Sequence, residues 1–304
     1  MAIKNPFEDA ENYRAVIVLQ QEKTIRKFYE DLLKDVQKQI KSLDAKSDET
    51  NRVYLNSLKN EINSKIRQIN LQTSSVITNG VSSVTERVLQ NNQVFLNNLG
   101  FAEYTYNPQL VVSMADFVVS GKLYDNKWNL SSSIWGNNLR TQRDINQIVA
   151  RGIVQNKSTY EIAKQLEKYV NPDVKLPVQS GVMGEVDYNA QRLARTMVQH
   201  AYQEAFVEAT KDNPFIEAYQ WITSGMSNVC ALCIEREEAD EYGLGPGIYP
   251  KDALPLDHPN GNCTFDIVTS WDEESAREAV FDWNFGELDD EELEEALDKF
   301  ADTF

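Results

Sequence analysis

The chain of 304 residues has three cysteines, Cys230, Cys233 and Cys263, and one of its two histidines, His258, lies among them. The spacing is C-x2-C, then 24 residues, then H-x4-C. Thiolate and imidazole are the donors that hold a tetrahedral ion, and a C-x2-C step lets two sulfurs reach one centre. Pro259-Asn260-Gly261-Asn262 is a turn-forming run that folds His258 and Cys263 back toward one point. Four protein donors close a coordination sphere, the arrangement of a structural zinc rather than a catalytic one. Such a site adds on the order of 10 kcal/mol of folding free energy in peptide systems. That would offset the entropy of ordering the excursion through Gly243, Gly245, Pro246 and Gly247, which has few apolar residues. The competing reading makes Cys230 and Cys233 small buried residues and places His258 on the surface.

Other chemistry finds little support. The H-x-E and P-C-x-x-C pattern of zinc deaminases is missing, as is a glycine loop for phosphate. Glu235, Glu237 and Glu238 read as a solvated face, and His200 as a packed or surface imidazole within a helix. The expectation is a protein without catalytic activity. A zinc-dependent hydrolase or modifying enzyme is the alternative.

The net charge is −17, and it is uneven. Residues 271–304 hold 14 acids and 2 bases, a net of −12, whereas residues 1–100 hold 14 bases and 12 acids, a net of +2. General attraction to DNA needs clustered Lys and Arg. Lys4, Arg14, Lys23, Arg26 and Lys27 leave only a local contact with nucleic acid open. The acidic end should be solvated or meet a basic surface. No apolar run is long enough to span a membrane. The N-terminal residues lack a signal-peptide core, so a reducing cytoplasm is expected, where close Cys and His read as metal ligands.

The elements that would position the four donors are mostly helical. Asn5 and Pro6 start a helix that runs to about Leu43, with Ile25, Phe28, Leu32, Val36, Ile40 and Leu43 at helical intervals. A second stripe holds Leu55, Leu58, Ile62, Ile66 and Ile69. It continues through Val76–Leu99, with an interruption expected at Asn79-Gly80. Residues 1–100 therefore read as a long helical hairpin, an arm without polar residues consistently on its apolar stripe. Residues 101–171 read as a helical middle, with Trp135 in its core and a capping box at Ser158 and Glu161. The run over residues 171–189, with two Pro and two Gly, reads as a linker or long loop and as the main domain boundary. Residues 187–271 form a small α+β module: a helix over Tyr188–Thr210, then two alternating runs, "FIEAYQWITS" and "TFDIVTSW", paired as antiparallel strands around the Cys/His stretch. The fold class is mainly α with this module and its zinc knuckle at the C-terminal end. Residues 272–304 form an acidic amphipathic tail. Its face of Leu293, Leu297, Phe300 and Phe304 should dock on the protein itself or on a partner groove.

Five short blocks add a family likeness: "SIWGNN", "NKSTYEIAKQL", "LARTMVQHAYQEAFVEA", "AYQWITSGMSNVCALC" and "LDHPNGNCTFDI". In order and spacing, Ser131–Trp271 resembles the phage Mu protein F-like minor head proteins, also called head morphogenesis proteins. Two positions depart from that pattern. Gly261 and Asn262 replace the cysteine and arginine of "HPNCRC", and Met197 replaces the glutamate of "ARTE". Roles attached to that cysteine or glutamate do not carry over. The resemblance implies a virion component present in host cytoplasm during assembly. It implies a protein of few copies that associates with the portal, enters the head and in some cases acts in DNA exit. Scaffold or major capsid protein, and viral DNA, are further partners it brings into view.

Overall fold

The computed structural model describes residues 3–101, 104–125, 128–175, 186–225 and 229–303. Among them are nine helices and three strands. The helices are α1 (Glu8–Ile40), α2 (Arg52–Leu99), α3 (Pro108–Val119), α4 (Leu130–Val154), α5 (Thr159–Val170), α6 (Tyr188–Thr210), α7 (Ala231–Glu238), α8 (Glu273–Phe285) and α9 (Glu291–Ala301). The strands are β1 (Ala218–Ile222), β2 (Ile248–Pro250) and β3 (Thr264–Val268). The protein is mainly helical with one small antiparallel sheet. Most of the expected linker, residues 176–185, and Phe304 lie outside the described residues. Among the described residues no helix is long and apolar enough to cross a membrane.

The chain forms two compact units. One holds residues 1–17, 80–118 and 196–304, the other residues 18–79 and 119–195. The 1–100 segment thus contributes to both. Buried positions run from Phe7, just before α1, through Ala10, Arg14, Val18, Gln21, Ile25, Tyr29, Leu32, Val36 and Ile40 on it. These steps of three, four and four repeat every eleven residues, about 3.67 per turn, so the stripe drifts only slowly round the helix. Tyr29, rather than the expected Phe28, carries the stripe. Arg14 and Gln21 extend the buried stripe ahead of the expected positions and add two polar groups to it.

In the second unit α2 runs antiparallel to α1. Gln21 Nε2 donates to the Val76 carbonyl at 2.6 Å, Lys65 pairs with Asp35 at 2.9 Å, and the Tyr54 hydroxyl reaches the Gln39 carbonyl at 3.0 Å. No break occurs at Asn79-Gly80: α2 is continuous there. Gly80 is buried on the stripe between Ile77 and Val84, where a small residue fits a helix interface. The capping box forms, with Ser158 N bonded to Glu161 Oε2 at 2.8 Å and Glu161 N to Ser158 Oγ at 3.2 Å. Ile162, Leu166 and Val170 then face inward on α5. Trp135, expected in the core, is 60% exposed. Asn138, three residues on and about 60° round α4, is buried instead.

In the first unit the sheet order is β2-β1-β3. The expected pairing of β1 with β3 is present, in a register from Ala218↔Val268 to Ile222↔Thr264. A third strand was not expected: β2 comes from within the Cys/His excursion and pairs with the other edge of β1. Phe206 on α6 packs on Tyr219 of β1 and Phe7 near α1, with ring centres 5.1 and 5.0 Å apart. Leu297 and Phe300 on α9, expected to dock on the protein itself or on a partner groove, are buried by the protein itself. Phe300 sits 5.5 Å from the Phe101 ring. Leu293 is half-buried.

Two glycines on α4 separate packing from propensity. A Cβ at buried Gly152 would overlap the Ile162 side chain, whereas one at Gly136 meets nothing within 4 Å. Gly152→Ala is expected to lose about 1–3 kcal/mol and Gly136→Ala to gain about 0.5–1 kcal/mol in urea unfolding. Changes of the same sign at both would refute the packing argument.

Candidate metal centre

Cys230 is the N-cap of α7, and its Sγ accepts from the Cys233 amide at 3.4 Å. The C-x2-C step therefore sits on the first turn of a helix, where amides point toward the sulfurs. That amide holds the Cys230 thiol below its usual value. On the other side, Pro259 and Asn260 form the centre of a turn closed by Gly261 N to the His258 carbonyl at 2.8 Å. Asn260 has φ of 70°, as the third residue of such a turn requires. This turn returns the chain to Cys263, one residue before β3.

The two halves meet. His258 Nε2 lies 3.2 Å from Cys230 Sγ and 3.1 Å from Cys233 Sγ. His258 Nδ1 lies 3.1 Å from the Pro259 carbonyl, an oxygen that can only accept. With the Nδ1 proton given to that oxygen, a neutral ring would present its Nε2 lone pair to the sulfurs, the tautomer a metal ligand needs. Donor atoms of Cys230, Cys233 and His258 lie within 4.8 Å of one another, and so do those of Cys233, Asp257 and Cys263. All four residues expected from the sequence are thus brought together, with Cys233 common to both groups. The cluster could hold a metal ion. Burial pushes the Cys233 and Cys263 thiols up, and the neighbouring Asp257 carboxylate adds to this. Thiols so placed ionise readily only with a cation to balance them.

Asp257 was not foreseen. It is 2% exposed, and its carboxylate accepts from three groups. Oδ1 takes the His258 amide at 2.8 Å, and Oδ2 takes Gln199 Nε2 at 3.0 Å and the Cys263 amide at 3.3 Å. One carboxylate thus fixes the backbone of two candidate ligands. Helix α6 holds it from behind. Gln203 Oε1 accepts from Asp257 N at 2.8 Å, and His200 Nε2 donates to the Asp257 carbonyl at 2.9 Å. His200 is a packed imidazole, and burial lowers its basicity. Thr196 Oγ1 accepts from Asn260 N at 2.9 Å. An acidic residue directly before His258 was the one sequence signal that could have pointed to Asp257.

Arg14 completes the surroundings. It is 3% exposed on α1, bonds Gln199 Oε1, and reaches Asn262 Oδ1 at 2.9 Å. Its guanidinium also lies 5.4 Å from the Tyr202 ring centre. Arg26, another cation considered for DNA, pairs with Asp173, Glu30 and Asp187.

Comparison of the chain with family models, with characterised proteins and with solved structures finds no significant match.

A Cβ on Gly261 would overlap the Asp257 carboxylate. Gly261→Ala is expected to displace it and to weaken metal binding by about 10–100-fold, read by competition with a chromophoric chelator. An affinity within about twofold of the parent would remove Asp257 from its positioning role. Arg14→Met leaves buried acceptors on Gln199 and Asn262 without their cation. It should cost about 3 kcal/mol in urea unfolding, in metal-loaded protein.

Proposed function

We propose that the cluster binds zinc as a closed structural site, and that the chain is a structural, morphogenetic minor head protein of a phage. In this reading it associates with the portal vertex, is carried in the head and serves head assembly, with a role in DNA ejection. One observation carries the family reading. The motif blocks behind the resemblance bond to one another rather than merely follow in order. Thr196 of the "LART" block accepts from Asn260 of "HPN", and Gln199 of the same helix holds both Asp257 and the Cys263 carbonyl, the latter at 2.7 Å. Independent coincidences of sequence would have no reason to meet at one site.

Zinc fits the donor set. Bonds of about 2.3 Å to sulfur and about 2.0 Å to nitrogen imply S···N edges of about 3.5 Å in a tetrahedron. The His258 contacts of 3.1 and 3.2 Å are a few tenths shorter, within reach of a small outward shift. Three thiolates and one imidazole leave no place for a reacting water, which favours a scaffold over the zinc-dependent hydrolase or modifying enzyme. The ion would tie the start of α7 to the turn before β3. Portal protein is the first partner in this reading, with scaffold or major capsid protein next. Engagement of Arg14 and Arg26 within the protein leaves viral DNA with less to bind.

Metal analysis should give one zinc per chain, and X-ray absorption should give three sulfur neighbours and one nitrogen. Chelation should lower the thermal midpoint, because a ligand that binds only the folded state stabilises it. Two sulfurs, a nitrogen and a water oxygen would instead support the enzyme. For the virion role, particles produced from the native genome should contain the chain at a few copies and lose it with the DNA if it is ejected. Its absence from particles would overturn that role while leaving the zinc site standing.

A further inference from the structure

Helix α8 leaves two aromatic rings uncovered on a face that α9 does not reach. Asp272 caps the helix through the amides of Glu274 and Ser275, and Gly286, with φ of 67°, ends it. Ala276, Ala279 and Val280 face inward. On the opposite side Glu274, Glu278, Phe281 and Phe285 follow at steps of four, three and four, so they form one stripe. All four are exposed, Phe281 at 57% and Phe285 at 65%, and the two rings pack with centres 4.6 Å apart. α9 docks elsewhere. Its Leu297 and Phe300 are buried, and Asp298 accepts from Trp283 Nε1 at 2.9 Å.

Charge limits what can cover this stripe. It lies in the segment of 14 acids and 2 bases, and one of those bases, Arg277, is already bonded to Glu273 and the Asn98 carbonyl. A second copy placed face to face would bring two such segments together, and anionic lipid or nucleic acid would be repelled in the same way. A Lys/Arg-rich segment meets no such barrier. Its aliphatic stems can lie on the phenyl rings while its charged heads face the carboxylates.

We infer that the outer face of α8 is a docking site for a basic amphipathic segment of a partner protein. Phe281 and Phe285 anchor the partner's apolar and stem carbons, and Glu274 and Glu278 set its register. The inference stands apart from the virion reading and fails separately from it.

The probe is a labelled helical peptide of Lys and Leu in equal number, titrated onto the metal-loaded full chain by fluorescence anisotropy. The control peptide carries Glu in place of Lys. The parent should bind the basic peptide only, and more weakly as salt rises. Phe281→Ser with Phe285→Ser should weaken binding at least tenfold with an unchanged thermal midpoint, since both rings are exposed. Glu274→Gln with Glu278→Gln should weaken it more than Glu294→Gln with Glu295→Gln, an equal charge change on the exposed side of α9. Equal losses from the two Gln pairs, with none from the Ser pair, would mean diffuse attraction and overturn the site. Self-association of the parent that the Ser pair abolishes would assign the face to a second copy and overturn it too.

Discussion

A single buried carboxylate organises the candidate metal centre. Asp257 is almost fully enclosed, and an unpaired charge there would be costly. Its oxygens are met by the amides of His258 and Cys263 and by the Gln199 side chain. The same contacts that make the charge tolerable set the direction of the chain on both sides of the turn. Arg14 adds a cation through Gln199 without touching the carboxylate itself. Stability and ligand placement are therefore one constraint here.

The excursion between the cysteine pairs is better held than its composition suggests. Arg236 stacks 4.8 Å over Trp221 and donates to the Leu256 carbonyl at 3.1 Å, while the Tyr249 hydroxyl donates to the Arg236 carbonyl at 2.9 Å. Strand β2 adds a ladder to β1. Glu237 receives both the amide and the hydroxyl of Thr223 at 2.9 Å. An ion would thus close a loop already pinned by polar bonds and one aromatic stack, instead of supplying nearly all of its order. Tight turns remain essential: a Cβ at Gly247 would crowd Gln220 Nε2 and the Glu237 carbonyl, both 2.6 Å away.

Periodicity and rarity made much of this legible. Cysteine and histidine are scarce enough in the sequence for four to stand out, and alternation located β1 and β3 on either side of them. The helical stripes and the Ser158 cap follow from local rules that tertiary packing did not override. What escaped depends on partners distant in the chain. Arg14 looks like a surface cation until α6 and the Asn262 turn are placed beside it. Strand β2 has only three residues, one of them Pro250, too few for a pattern. Gly80 signals a break locally but sits on a buried stripe, so packing holds the helix through it. Trp135 shows the same limit from the other side. Residue type gives a tendency to bury, and only the finished fold says which face has a cover.

Gly261 and Met197 share a physical logic. The space a side chain would take at 261 is filled by the Asp257 carboxylate, so a carboxylate at 257 in this position and any larger residue at 261 exclude each other. A cysteine at 261 would require the carboxylate to turn away from the Cys263 amide. Met197 is fully buried on α6, where a glutamate would add another charge to enclose. Both residues therefore favour one arrangement, with buried Asp257 beside the cluster and buried Arg14 near it. Three thiolates and an imidazole around a divalent ion carry one net negative charge, and Asp257 carries another. One guanidinium would reduce that excess, so with an ion bound Arg14 on α1 would share in the charge balance of the site.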